Sequence, residues 1–517
     1  MKRKVHAFLF LLLLTGGIAQ AQVKDPVVEG IVKEANENSQ LEVLAHELLD
    51  GTGPRLVGTP EMQKAHDWAV AKYKDWGIAA KNEKWGEWRG WQRGVTHVDM
   101  VHPRVQSLEA TQLAWSPGTK SKGVTAELVV LPDVQDSVAF QKWLPSVKGK
   151  LVMISMQQPT GRPDYNWEEF ATKESLAKMK EEREAQTAAF NENMKKTGYT
   201  SRTLPAALEK AGAAGVVTSN WSRGFGVNKI FGAYTKKIPS IDVALEDYGM
   251  LYRLVESGSK PQIRIQAESK ELKNAPTFNT VAQIKGTEKP EEYVVLSAHF
   301  DSWDGGTGAT DNGTGTIVMM EAMRILKKMY PNPKRTIIAG HWGSEEQGLN
   351  GSRAFVADHP EIVKNIQAVF NQDNGTGRVV NISGQGFLHA YDYLGRWLSA
   401  APREITSGIE TNFPGFPGGG GSDHASFVAA GAPAFMLSSL NWSYGTYTWH
   451  TNRDTYDKIV FDDVRNNAIL VAILAYKASE DPATANRERI VLPVDSRTGE
   501  QRTWPEQREP TRKGGLD

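Results

Sequence analysis

Past residue 278 the apolar positions fall into short unbroken runs separated by amphipathic stretches. "EEYVVLSAHF", "RTIIAG", "IQAVFNQ" and "PAFMLSS" have the length and apolar character of buried strands. "GTIVMMEAMRILKKMY", "GSRAFVADH" and "VRNNAILVAILAYKAS" carry helical spacing, the first stopped by Pro331. Strand and helix in alternation, with strands apolar on both faces, predict an α/β fold: a mostly parallel central sheet covered by helices on both sides.

Upstream the rhythm changes. Leu41 to Trp76 reads as two helical patterns around the Gly/Pro-punctuated "DGTGPRLVGTPE". From about Gly90 to Ile265 strand-like runs such as "GVTAELVVLP" and "GKLVMISM" dominate, and "LPAALEKAGAAGVVTSN" and "IPSIDVALEDYGMLYRLVESG" combine helix and strand. The predicted organisation is a signal segment at 1–21, a lead-in at 22–105, a β-rich insert at 106–270, a main domain at 271–485 and a polar tail at 486–517, expected to be mobile from about Asp495. Within the insert, residues 167–196 form a charged helix-favouring stretch, read as a solvated surface helix or hairpin. No internal repeat is visible.

At 517 residues the chain exceeds one compact core. Sixty basic residues balance sixty acidic ones, which excludes the cationic surface that nucleic-acid or polybasic membrane binders need. "MKRKVHAFLFLLLLTGGIAQAQ" has a basic head, a short apolar centre and small residues at Ala19 and Ala21, so export to periplasm or medium with cleavage after Ala21 is expected. Its apolar run is shorter than the ~20 residues of a span, and no other stretch is apolar enough to cross a bilayer. With no cysteine there is no disulfide and no lipid-modified cysteine.

Candidate chemistry gathers where the predicted strands end, the edge at which open α/β sheets bind ligands. His299 and Asp301 close the first strand and Asp311 lies in the glycine-rich loop after it. Glu345 and Glu346 follow the second strand, Asp373 the third, and His450 stands in "YGTYTWHTNRDTYD" beyond the fourth. The glycines match neither a dinucleotide nor a phosphate-loop template, and H-E-x-x-H and G-x-S-x-G are absent. Two imidazoles and three carboxylates suit a pair of divalent ions, whose four charges three carboxylates and a hydroxide would cancel. Nitrogen and oxygen donors without thiolate favour zinc, with manganese or cobalt as substitutes. On extended backbone Asp301 shares a face with His299 and is expected to accept its other ring N–H. Of the adjacent Glu345 and Glu346, one can hold metal while its neighbour acts as base; residue chemistry alone leaves open which.

Taken together, "AHFDSWDGGTGATDNGTG", "GSEEQGLNGS", "NQDNGTG", "GSDHASFVAAGAPAF" and "WHTNRDTYDKI" resemble the words of the di-zinc exopeptidases that include bacterial leucyl-type aminopeptidases, aminopeptidase Y and plasma glutamate carboxypeptidase. The resemblance spans most of Phe278 to Glu480 plus "GTGPRLVGTPE". It implies the zinc-exopeptidase, phosphorylase/hydrolase-like fold with two Zn2+ per chain: one on His299, Asp373 and Asp311, the other on Asp311, Glu346 and His450. Asp311 is then the bridge, Glu345 the general base and Asp301 the partner of His299. It also implies that the insert is a protease-associated domain, with "GAAGVVTSN" and "IPSIDVALEDYG" its clearest matches. The loop carrying Asp423 and His424 and the aromatic "NWSYGTYTW" are expected to shape the substrate pocket, Tyr444 or Tyr447 donating to the oxyanion. His424 is a minor alternative ligand.

The implied activity is exopeptidase cleavage of peptides, foremost as an aminopeptidase. Next comes a carboxypeptidase or dipeptidase of the plasma glutamate carboxypeptidase type, toward which "AHFDSW" points. Outside this chemistry stand a glutaminyl cyclase with one zinc and a non-catalytic exported binding module stapled by metal.

Overall fold

The computed structural model describes residues 25–515; the expected signal segment lies outside them. Strands Lys289–His299, Arg335–Trp342, Ile366–Asn371 and Ala434–Ser439 run parallel in the order 335–342, 289–299, 366–371, 434–439. Arg335–Trp342, Ile366–Asn371 and the second half of Lys289–His299 are buried throughout, because a parallel sheet covered on both faces must be apolar on both. Successive residues of one strand show the two faces. His341 meets Tyr73 of helix Pro60–Asp75, whereas Trp342 meets Phe355 of helix Asn350–Asp358 and Phe427 of helix His424–Ala429. Helices Thr314–Met329 and Phe461–Glu480 pack together and, with helix Pro26–Glu37, bury the apolar stripe that their spacing predicts.

Two very long strands, Ala79–His102 and Gln262–Ile284, pair antiparallel along their length. One end of the ribbon joins the main sheet through Thr280–Ile284 beside strand Arg335–Trp342; the other, at Gln262–Ile265, joins strand Val124–Val130 of the insert. The expected boundary at 270 therefore falls inside a strand. Local patterning could not place it, since the ribbon is continuous in hydrogen bonding while its burial changes from one unit to the next. In the insert, strands Val124–Val130, Leu151–Met153, Gly215–Thr218 and Ser240–Val243 are parallel, with helices in the first two connections and a hairpin, Trp221–Gly224 with Val227–Asn228, in the third. The charged stretch forms helices Asp164–Phe170 and Lys173–Thr197, mostly exposed, tied back where Asn193 donates to Pro132 O at 3.0 Å.

The tail expected to be mobile is instead tied to the main domain. Trp504 packs on Phe387 beneath the Arg489 guanidinium, Thr511 N donates to Asn350 Oδ1 at 2.8 Å, and Lys513–Gly514 pairs with Glu87–Trp88. These partners lie far away in sequence, so a locally polar segment gives no sign of them. Among the described residues no helix is long and apolar enough to cross a membrane.

His66 and His341 lie buried against Phe300, with His66 Nδ1 2.8 Å from Thr280 Oγ1 and His341 Nε2 2.7 Å from Tyr73 Oη. Burial pushes both imidazoles down to about 3, so both fold neutral. Between pH 7 and pH 5 the unfolded chain gains protons there that the folded protein does not, costing about 2 kcal/mol per histidine. This stability is complete above the ordinary histidine range and is lost as pH falls. In urea titrations at the two pH values, His66→Asn should lose less stability on acidification than the unaltered protein, by roughly that amount.

Candidate metal centre

Each candidate ligand stands just beyond the C-terminal end of a parallel strand. His299, the last residue of its strand, is 1% exposed; its Nε2 is 2.9 Å from Asp373 Oδ1 and 3.3 Å from Asp311 Oδ1. His450 Nε2 is 2.8 Å from Glu346 Oε2 and 3.2 Å from Asp311 Oδ2. Asp311 thus turns one oxygen toward each imidazole. Among the described residues two groups bring one donor atom per residue within 4.8 Å of one another: His299, Glu345 and Asp373, and Asp311, Glu346 and His450.

The loops holding these groups are shaped by specific contacts. Asp454 accepts from Thr310 N at 2.8 Å and Asp311 N at 3.0 Å, fixing the loop that presents Asp311. Gly308 has φ +63°, and a Cβ there would strike the Ser302 side chain, so glycine is required. Ser344 and His450 adopt φ of +63° and +61°, left-handed conformations that cost about 1–3 kcal/mol each and persist only where surroundings impose them. For His450 those surroundings include the insert: Ile230 N donates to His450 O at 2.9 Å, and Phe231, Trp303 and Trp449 pack round the ring.

Asp301 differs from expectation. Its backbone carbonyl, 3.0 Å from His299 Nδ1, is the near partner of the ring, and its carboxylate stands back at 3.7 Å. The carboxylate accepts instead from Glu345 N at 2.9 Å and Glu346 N at 3.2 Å, so it sets the turn carrying the glutamate pair. Tyr444 and Tyr447 also separate. Tyr444 lies near Asp311, Asp373 and Glu346, and burial with those charges raises its phenol far above the ordinary range. Tyr447 turns toward the insert, its ring against Gly224. Asp423 is buried beside His299, Asp373 and Asp301, whereas His424 belongs to neither donor group and lies by Gly418.

Arg55 and Asp454 belong to no recognisable template in the sequence, though both sit inside the quoted words. Arg55 is wholly buried and donates to Phe300 O at 2.7 Å, Thr307 O at 2.7 Å, Gly308 O at 2.9 Å and Gly53 O at 3.3 Å. Burial lowers its guanidinium to about 10 despite Asp454, Asp301, Asp311 and Glu346 nearby. A cation in a glycine-rich loop beside acidic words is the only signal the sequence offers for it. Arg55→Lys keeps the charge but not the planar fork, leaving buried carbonyls without donors. It should lower stability by about 3 kcal/mol in urea and weaken zinc retention on dialysis.

The donor set fits divalent ions. Asp311 Oδ2 and Glu346 Oε1 are buried without a hydrogen-bond partner among the described residues. With Asp454 and His450 they line a cavity of about 10 Å³, room for roughly one water-sized particle. Burial raises Glu346 to about 8, helped by Asp311 and opposed by His450. Burial also raises Glu345 well above the carboxylate range; Asp373, Glu346 and Asp423 add to this and His299 opposes it. For Asp311 burial acts upward too, but the two imidazoles overcome it and hold the group low. Burial would lower His450, yet Asp311 and Glu346 raise it to about 9. Such a crowd of buried acids calls for more positive charge than two imidazoles supply.

Residues 279–475 match the profile of peptidase family M28. The chain is similar to carboxypeptidase Q of Rattus norvegicus, 28% identical over 438 residues and 84% of either chain, and to that of Bos taurus, 26% identical over 434 residues with the same coverage. Its fold is shared with a peptidase M28 precursor from Shewanella amazonensis (TM-score 0.65, 22% identity, 93% of this chain and 98% of that one). It is shared likewise with a zinc aminopeptidase from Bacillus subtilis (TM-score 0.54, 20% identity, 89% and 97%).

Proposed function

From the premise that this chain is a zinc metallopeptidase carrying a peptidase family M28 domain, we propose that it is a di-zinc exopeptidase releasing the residue with the free carboxylate from dipeptides and short peptides. The observation that carries the reading is Asp311, one oxygen toward each histidine, with Glu345 beside the His299 half. His299, Asp373 and Asp311 would hold one ion, and Asp311, Glu346 and His450 the other. Bound there, the ions would polarise the scissile carbonyl and acidify a water. Glu345, half-buried and so open on one edge, takes the proton of the attacking water and passes it to the departing nitrogen. Asp301 is a positioning residue, since it grips the amides of both glutamates. Tyr444, kept protonated by its surroundings, donates to the developing oxyanion. Beyond it a cleft of about 550 Å³, lined by Phe225, Trp442, Tyr444 and Tyr447, suits the acyl side of a peptide. The insert would act as a protease-associated domain shaping that cleft, and the N-terminal pattern supports export.

Similarity to carboxypeptidase Q over most of both chains favours the carboxyl end. The aminopeptidase reading, the leading one from sequence, keeps one specific support. Asp423 is buried with neither carboxylate oxygen hydrogen-bonded among the described residues, and an ammonium group would satisfy it. Aminoacyl-anilides set against N-blocked dipeptides decide between them: cleavage of the blocked peptides supports the carboxyl-end reading, and cleavage of the anilides alone overturns it.

A further inference from the structure

The basic groups nearest the acidic centre are nearly all engaged. Arg55 donates to four backbone carbonyls, and Arg93 pairs with Asp304 at 2.6 Å. Lys229 donates to Gly445 O at 3.3 Å and sits 3.9 Å over the Trp449 ring, while Arg453 pairs with Glu109 and Gly226 O. Arg353 is the exception. On helix Asn350–Asp358, just past the glutamate pair, its half-buried guanidinium has no hydrogen-bond or ion-pair partner among the described residues.

Arg353 lines a cavity of about 50 Å³ with Gly419 of the glycine loop, Ser426, and Arg508 of the C-terminal tail. Arg508 likewise has no hydrogen-bond or ion-pair partner among the described residues. Burial lowers Arg353, Arg508 lowers it further, and Asp423 and Glu345 oppose this. The two guanidiniums thus feel each other, and Arg353 also feels the base. Two like charges facing one cavity are unfavourable until an anion joins them. Glu506 and Glu509 border the same space without pairing to either arginine, and Glu509 acts on Arg512 instead. The space admits a small group such as a carboxylate.

We propose that Arg353 and Arg508 form the subsite that receives the free carboxylate of the leaving residue, on the Glu345 side of the centre and apart from the aromatic cleft by Tyr444. The inference rests on the exopeptidase reading above and adds which residues recognise the substrate's end. It also gives the ordered tail a function, because Arg508 reaches the cavity only while that segment stays docked.

The test uses the zinc-loaded enzyme with three probes: an alanyl dipeptide, the same dipeptide as its C-terminal amide, and alanyl-glutamic acid amide, whose only carboxylate is on the side chain. The unaltered enzyme should favour free acid over amide by at least about tenfold in kcat/KM. Arg353→Gln or Arg508→Gln should bring that ratio to within about threefold, chiefly through KM, and Arg353→Lys should restore part of it. Arg508 is exposed, so its variant keeps the proposal testable if Arg353→Gln misfolds. A ratio near one in the unaltered enzyme, or one indifferent to both substitutions, overturns the subsite. Preference for the side-chain carboxylate over the main-chain one overturns the assignment to the substrate's end. Failure to cleave any probe overturns the exopeptidase reading itself and this inference with it.

Discussion

Glu345→Gln is expected to lower kcat by about 10²–10⁴-fold while zinc content and KM stay close to those of the unaltered enzyme. Glutamine keeps the shape of the side chain, and the residue 345 amide still donates to Asp301 Oδ1, so the turn and Glu346 stay in place. What disappears is a basic oxygen at the edge of the centre. The companion variant Glu346→Gln should behave differently. Glu346 Oε2 lies 2.8 Å from His450 Nε2 and its side chain is only 3% exposed, so its loss should strip metal rather than slow a loaded enzyme. Steady-state kinetics with zinc analysis of both proteins reads the two effects separately. An undiminished rate in Glu345→Gln removes Glu345 as base, and the opposite pattern in the pair exchanges their roles.

The adjacency of two glutamates is legible in the sequence, but their division of labour is not. It depends on which side chain turns toward His450, and that is fixed by Asp301 and by the left-handed Ser344. The strands that lead to the candidate ligands are legible because a parallel sheet buried on both faces leaves uninterrupted apolar runs. Arg55 is not, because its partners are loop carbonyls some 250 positions away and follow no periodicity. Tyr444 and Tyr447 cannot be told apart by spacing within an aromatic loop; their orientations are set by Gly375 against one ring and Gly224 against the other. The docked tail escapes for the same reason, its two-residue pairing with Glu87–Trp88 carrying no local pattern.

The insert touches the candidate metal centre at His450. That residue bears the backbone strain, and its carbonyl accepts from Ile230, a residue of the insert. A side chain held in a costly conformation by a second unit moves when that unit moves. Changes in the hairpin Trp221–Gly224 and Val227–Asn228 should therefore reach the Glu346 half of the centre before the Asp373 half.

Asp311→Asn should cost far more stability in zinc-loaded than in metal-free protein, which makes it the sharpest test of a shared ligand. Without metal, Asp311 is held low by His299 and His450, although it is also one cause of the raised Glu346. Removing its charge loses those two contacts and relieves only that repulsion, so metal-free Asp311→Asn should melt modestly below the metal-free parent. With zinc the loss is much larger. Losing a carboxylate that faces both histidines should weaken zinc binding by at least about 100-fold, more than typical losses of an outer partner. At fixed zinc a 100-fold weaker site forfeits about 2.7 kcal/mol of binding-linked stability. Thermal melts with chelator and with zinc, on parent and variant, give the four values required. If Asp311 served only the loop, both forms would lose the same amount of stability, since the amides of Thr310 and Asp311 are held by Asp454 in either state. Equal destabilisation in the two conditions would remove the bridge and leave the histidines with separate sites.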